Sequence, residues 1–82
     1  MSGYYDEPVL LHRVDPAQNM ARFYAMSIAP TLFGETSLIR NWGRIGKRGQ
    51  LRLDTFDTAA EARLALASLH NKKGRRGYRQ PF

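Results

Sequence analysis

The segment spanning residues 38–50, LIRNWGRIGKRGQ, constrains this chain more than any other. It holds the single tryptophan, three of the seven glycines and four of the thirteen basic residues. A two-residue alternation sorts Leu38, Arg40, Trp42 and Arg44 onto one face of a strand, and Ile39, Asn41, Gly43 and Ile45 onto the other. The second set is small or aliphatic and suits a core. The first is a tryptophan between two guanidinium groups, which suits an anionic, stackable partner. The expectation is a strand with Ile39 and Ile45 turned inward and Trp42, Arg40 and Arg44 turned out. Gly46 and Gly49 bracket Lys47 and Arg48 in a turn, because glycine tolerates positive φ. Residues 50–56 resume the alternation as an antiparallel partner, with Leu51, Leu53 and Thr55 facing in and Arg52 and Asp54 facing out.

Two earlier strands are expected. Residues 9–14 form the first, stopped by Asp15-Pro16. Residues 22–29 form the second, closed by Pro30, with Tyr24, Met26 and Ile28 on its core side. The loop between it and the third strand contains Leu32 and Phe33, which are expected to cap one end of the core. An exposed contact patch is the alternative. After the strands, Thr58 and Glu61 have capping-box spacing. The alanine- and leucine-rich stretch that follows is helical to about Lys73, with Ala62, Ala65, Leu66 and Leu69 as its buried stripe. Gly74 is the expected residue just past the helix, and Lys72 and Lys73 suit its negative end. Tyr78 then packs back as a short closing strand or tail. The layout is α+β: a small antiparallel sheet of four or five strands with one helix on one face. Residues 1–8 are a loose arm and residues 9–80 a single domain, expected to act as a monomer.

Charge is distributed unevenly. Residues 1–39 carry a net −2 and residues 40–82 a net +8, which together give the overall +6. That asymmetry points to a polyanionic partner. The candidate contacts are Trp42, Arg40 and Arg44 on the strand, Lys47 and Arg48 in the turn, and a C-terminal cluster of Lys72, Lys73, Arg75, Arg76 and Tyr78. Trp42 is either a core residue or a stacking platform. Two arginines are poor company in a dry core and good company for a base or sugar beside phosphates. The Gly43, Gly46, Gly49 spacing matches neither a dinucleotide fingerprint nor a P-loop, and it is read as shaping the bend and turn.

The same residues carry a family resemblance. Trp42-Gly43-Arg44, with Ile45-Gly46 and Gly49-Gln50 after it, is similar to the signature of the WGR domain family. Asn19-Met20-Ala21-Arg22-Phe23-Tyr24 resembles the family's opening strand, and Pro30-Thr31-Leu32-Phe33-Gly34 a loop of its short bacterial members. Lys72-Lys73-Gly74-Arg75-Arg76-Gly77-Tyr78 resembles its closing basic segment. In poly(ADP-ribose) polymerases this domain contacts DNA at a break, and its motif tryptophan packs against the sugar of a terminal nucleotide. The resemblance implies that role for Trp42. It places Arg44 where the motif arginine relays binding to neighbouring domains, a role not expected here without such neighbours. Nothing in the chain resembles the polymerase catalytic domain.

Other chemistry finds little footing. With no cysteine there is no thiolate metal site and no thiol nucleophile. His12 and His70 lie far apart, so neither a metal nor a catalytic group is expected, and no cofactor. No apolar run reaches about 18 residues, the start does not resemble a signal peptide, and a cytoplasmic setting is expected. The sequence thus predicts a non-enzymatic nucleic-acid-binding module, DNA before RNA, at ends or nicks. The alternative is an adaptor that docks an acidic protein on the same face.

Overall fold

A computed structural model describes residues 6–81. Four strands, β1 (Val9–Asp15), β2 (Met20–Pro30), β3 (Thr36–Arg44) and β4 (Gln50–Phe56), form one antiparallel sheet in sequence order. A 3-10 turn, Pro16–Gln18, links β1 to β2, and one helix, α1 (Ala59–Arg75), follows β4 and packs over β2, β3 and β4. The fold is α+β. Residues 1–5 of the expected N-terminal arm lie outside the described residues, and Asp6 is tied to Arg63 of the helix at 2.8 Å.

Helix α1 starts where its capping box predicts. The Thr58 hydroxyl accepts from the Glu61 amide at 3.1 Å, and the hydroxyl also meets the Glu61 carboxylate at 3.2 Å. Its end is later than expected. Gly74 lies inside the helix, and Gly77, at φ +94°, is the left-handed residue that stops it. The Gly77 amide donates to the Gly74 carbonyl and the Tyr78 amide to the Lys73 carbonyl, the paired bonds of a Schellman motif. The chain then turns back over the sheet. Tyr78 is buried, and Arg79 bridges to His12 on the outer edge of β1.

The core lies between helix and sheet. Leu11, Tyr24, Met26, Ile28, Leu38, Ala62 and Tyr78 are buried there, with Trp42, Phe56, Ala65, Leu66 and Leu69 packed against them. The helix stripe and the core side of β2 are therefore as expected. The faces of β3 and β4 are not. Ile28 pairs with Leu38, Tyr24 with Trp42 and Met26 with Arg40, so Leu38, Arg40 and Trp42 share the helix side with the β2 core residues. Arg52, Asp54 and Phe56 lie on that side too, opposite Arg40, Leu38 and Thr36. Ile39 faces away from the helix, and Leu51 and Leu53 are 66% and 59% exposed. Alternation has two phases, and across residues 38–45 each phase holds two large apolar residues (Leu38 and Trp42, or Ile39 and Ile45), so the local pattern could not choose between them. Cross-strand register chose. All seven charged strand residues, Arg13, Asp15, Arg22, Arg40, Arg44, Arg52 and Asp54, lie on the helix side.

The β2–β3 loop also departs from expectation. Leu32 and Phe33 are 97% and 87% exposed and do not cap the core. Thr31 holds the loop instead, its hydroxyl accepting from the amides of Phe33 and Glu35 at 3.2 Å each.

Candidate nucleic-acid interface

The helix covers only part of its side of the sheet. Register lays the residues of that side in rows across the strands. One row is Leu11, Tyr24, Trp42 and Gln50, and the next outward is Arg13, Arg22 and Arg44. The helix ends above the first of these rows, so the arginine row emerges beyond it. Lys73 Nζ, in the last turns of α1, sits 4.4 Å from the Tyr24 ring centre and 5.5 Å from that of Tyr78. Between these parts lies a cleft of about 310 Å³. It is lined by the aromatic rings of Tyr24, Trp42 and Tyr78, by Gly43, and by the cationic side chains of Arg13, Arg22, Lys73 and Arg76.

The aromatic lining is fixed by mutual packing. Trp42 stacks on Tyr24 with ring centres 5.8 Å apart and planes 17° from parallel, and Tyr78 meets Tyr24 edge-on at 6.3 Å. Trp42 is half-buried, with one side against the core and the remainder open to the cleft. Gly43 is required next to it. A Cβ on Gly43 would stand 2.7 Å from the Gly49 Cα, and one on Gly49 would run into the Trp42 carbonyl and the Phe23 ring. The two glycines thus let the β3–β4 hairpin close tightly at its base. Asn41 braces the same turn, its side-chain amide donating to the Gln50 carbonyl at 2.6 Å.

Electrostatically the cleft is unbalanced. Among the described residues no carboxylate lies within salt-bridge distance of Arg13, Arg22, Lys73 or Arg76. Asp15, on the same face, is used by the 3-10 turn, accepting from the Ala17 amide and the Gln18 side chain. Burial, followed by the nearby charges of Arg76, Arg40 and Lys72, pushes the Lys73 pKa below its ordinary value. A lysine whose charge is resisted by its surroundings gains from any anion placed beside it.

The sequence-predicted residues separate into three groups. Trp42, Lys73, Arg76 and Tyr78 meet in the cleft. Arg44 stands in the adjoining row, exposed, with its guanidinium donating to the Asn19 carbonyl at 3.3 Å. Lys47 and Arg48 lie on the exposed hairpin turn, and Lys72 and Arg75 on the exposed surface of the helix end. Arg40 differs from all of these. Its side chain is 16% exposed, pairs with Asp54 at 2.9 Å and donates to the Tyr24 hydroxyl at 3.3 Å. Burial opposes its charge, but Tyr24 and Asp54 outweigh it and its pKa is raised. Its Nε has no partner among the described residues. Arg40 is thus a structural cation under the tryptophan, 5.9 Å from the ring centre.

Sequence reading missed Arg13, Arg22 and Tyr24 as site residues. Arg13 and Arg22 belong to the half of the chain with net negative charge, where totals conceal them. The available signal was pairing: a hairpin through the Asp15-Pro16 turn sets Arg13 opposite Arg22, and the next one sets Arg22 opposite Arg44.

Comparison with known proteins agrees with the motif. The family model for the WGR domain matches residues 7–81. The chain is 48% identical over 69 residues to the uncharacterized protein y4dW of Sinorhizobium fredii (strain NBRC 101917 / NGR234), a match covering 84% of this chain and 34% of that protein. The chain spans about a third of that relative's length. No solved structure matches it. No helix among the described residues is long and apolar enough to cross a membrane. The Trp42-Gly43-Arg44 signature, the tight hairpin it closes and the match over nearly the whole chain place this protein in the WGR domain family.

Proposed function

We propose that this chain is a non-enzymatic nucleic-acid-binding module that takes DNA at ends or nicks, with the cleft under the helix C-terminus as its contact surface. The observation that carries this reading is the cleft itself. Four cations without carboxylate partners among the described residues surround a half-buried tryptophan and two tyrosines. Phosphates are neutralised by Arg13, Arg22, Lys73 and Arg76, while the open part of Trp42 stacks on an exposed sugar or base. A base inside intact duplex cannot offer its face to a ring in a cleft, whereas a terminal or nicked one can. Arg44, Lys47, Arg48, Lys72 and Arg75 extend the positive field along both sides and hold the adjoining backbone. Arg40 acts from within, fixing Tyr24 and Trp42.

The test is a binding panel of closed, nicked and blunt-ended duplex and single strands at two salt concentrations, read by indole quenching. Nicked and ended DNA are expected to bind tightest and to quench Trp42. With about four phosphates neutralised, log K falls against log salt with a slope of roughly −3.6. Salt-independent affinity would remove the nucleic-acid reading, and preference for an acidic protein over every nucleic acid would favour the adaptor role instead.

A further inference from the structure

The sheet face turned away from the helix carries no lysine, arginine, aspartate or glutamate, although 24% of the chain is charged. Solvated faces of antiparallel sheets are ordinarily the polar ones. Here the arrangement is reversed: every charged strand residue is on the helix side, and the open side presents Leu10, Val14, Phe23, Ile39, Leu51 and Leu53 among small residues, with His12 and Asn41 as its larger polar side chains. Charge depletion on an apolar patch is the compositional mark of an interface centre. Among the described residues no helix or further strand packs over this face; Pro8 borders its hollow and Gly49 closes on Phe23.

We propose that the open face is a homodimer interface, on which two copies pack sheet against sheet. Two observations favour a second copy over another occupant. The first is charge. At net +6 the chain repels itself, and this is the sheet surface on which copies can meet with their cations directed apart. The second is shape. Leu51 and Leu53 stand out as a ridge on β4, whereas β2 contributes Ala25 and Ser27 to a hollow of about 230 Å³ bordered by Pro8, Ile39 and Asn41. In a two-fold arrangement the ridge of each copy enters the hollow of the other, so one surface supplies both parts. Stacked sheets lie about 10 Å apart, which leaves room for interleaved leucines.

The size of the face sets the strength. Four strands about 4.8 Å apart and about seven residues long give a footprint of roughly 450 Å² per copy, or about 900 Å² in all. That is below the roughly 1,200 Å² of stable complexes, so the dimer is reversible and of micromolar affinity. It departs from the monomer expected on sequence grounds. In the dimer both aromatic-cationic clefts point outward. If they bind DNA as proposed above, each dimer joins two DNA segments, and that consequence alone rests on the earlier reading.

Sedimentation of the chain without nucleic acid, from low to high micromolar concentration, tests the dimer itself. A concentration-dependent dimer is expected, with amide shifts on dilution at Leu10, Ala25, Ile39, Leu51 and Leu53 and none at Trp42. Leu53→Glu and Leu10→Lys each place a charge on both sides of the two-fold interface, and each is expected to weaken dimerisation at least about a hundredfold. Circular dichroism should show both variants folded, since both side chains are exposed. If either fails to fold, the dilution shifts of the unmodified chain decide alone. A chain that stays monomeric throughout overturns the proposal. So does a dimer that survives both substitutions, or shifts confined to β4, which would indicate edge-to-edge pairing. Dimerisation without DNA binding would reject the earlier reading and leave this one standing.

Discussion

At one end of the helix side, Ile28 and Leu38 face each other across β2 and β3 and are sealed by α1. A few residues along the same strands, Arg22 and Arg44 face each other in the same way with no helix above them. The strands, their spacing and their side are identical, and only the cover differs. Under cover, apolar pairs hold the fold. Where the helix stops, the same geometry lines up guanidinium groups that would repel one another without an anion. Trp42 stands at the border and belongs to both regions. Stability and the proposed binding are therefore separable along one sheet face, with the helix length setting the division.

Substitutions along that face test the separation. Leu38→Ala is expected to cost about 2–5 kcal/mol, enough to unfold much of so small a domain, and urea denaturation measures it. A loss below about 1 kcal/mol would mean that the covered end is not the core. Trp42→Ala is expected to cost roughly 1.5–3 kcal/mol of stability, less than a fully buried tryptophan, and about 1–3 kcal/mol of binding. A stability loss with unchanged affinity would remove the ring from the site. Thr58→Ala removes the helix cap far from the cleft and should lower stability by about 0.5–2 kcal/mol while leaving affinity unchanged.

Smaller effects sharpen the binding end. Arg22→Ala should leave stability within about 0.5 kcal/mol and make the salt slope shallower by about one, measured by titration at several ionic strengths. An unaltered slope would place the phosphate elsewhere. Lys73 gives the finest test. Its folded pKa is below the ordinary lysine value, so its charge works against the fold at all lower pH, and that penalty is relieved as pH rises from the lowered pKa to the ordinary one. A bound phosphate stabilises the charged form. Affinity should therefore fall over the same alkaline interval, and Lys73→Met should abolish that dependence while binding more weakly at neutral pH.

Much of this was legible in the sequence. The capping box fixed the start of α1 because its two side chains and amides lie within one turn of chain. Alternation located β3 and β4, proline-bounded runs located β1 and β2, and the Ala62, Ala65, Leu66, Leu69 stripe identified the helix face, because these are local properties of the chain. The signature Trp42-Gly43-Arg44 named the family for a similar reason: Gly43 is needed wherever the Gly49 backbone closes against it. The glycine that stops α1 was misplaced by three residues because Gly74 and Gly77 are both credible stops. The choice fell to Gly77 once Tyr78 had a buried seat to reach.

Tertiary structure alone decided which side of the sheet each strand pattern meant. Leu38, Arg40 and Trp42 turned inward because β2 committed Tyr24, Met26 and Ile28 to the helix, and pairing leaves a neighbour no independent choice. An arginine beneath the helix looked costly from sequence, since Asp54, its partner, is supplied by another strand. The cleft was equally out of sight. Arg13, Arg22, Trp42 and Lys73 come from four elements, and none lies within a helical turn of another in sequence. Local chemistry writes the elements into the chain, but a charge or an apolar residue acquires its role only from what the register and the end of a helix place beside it.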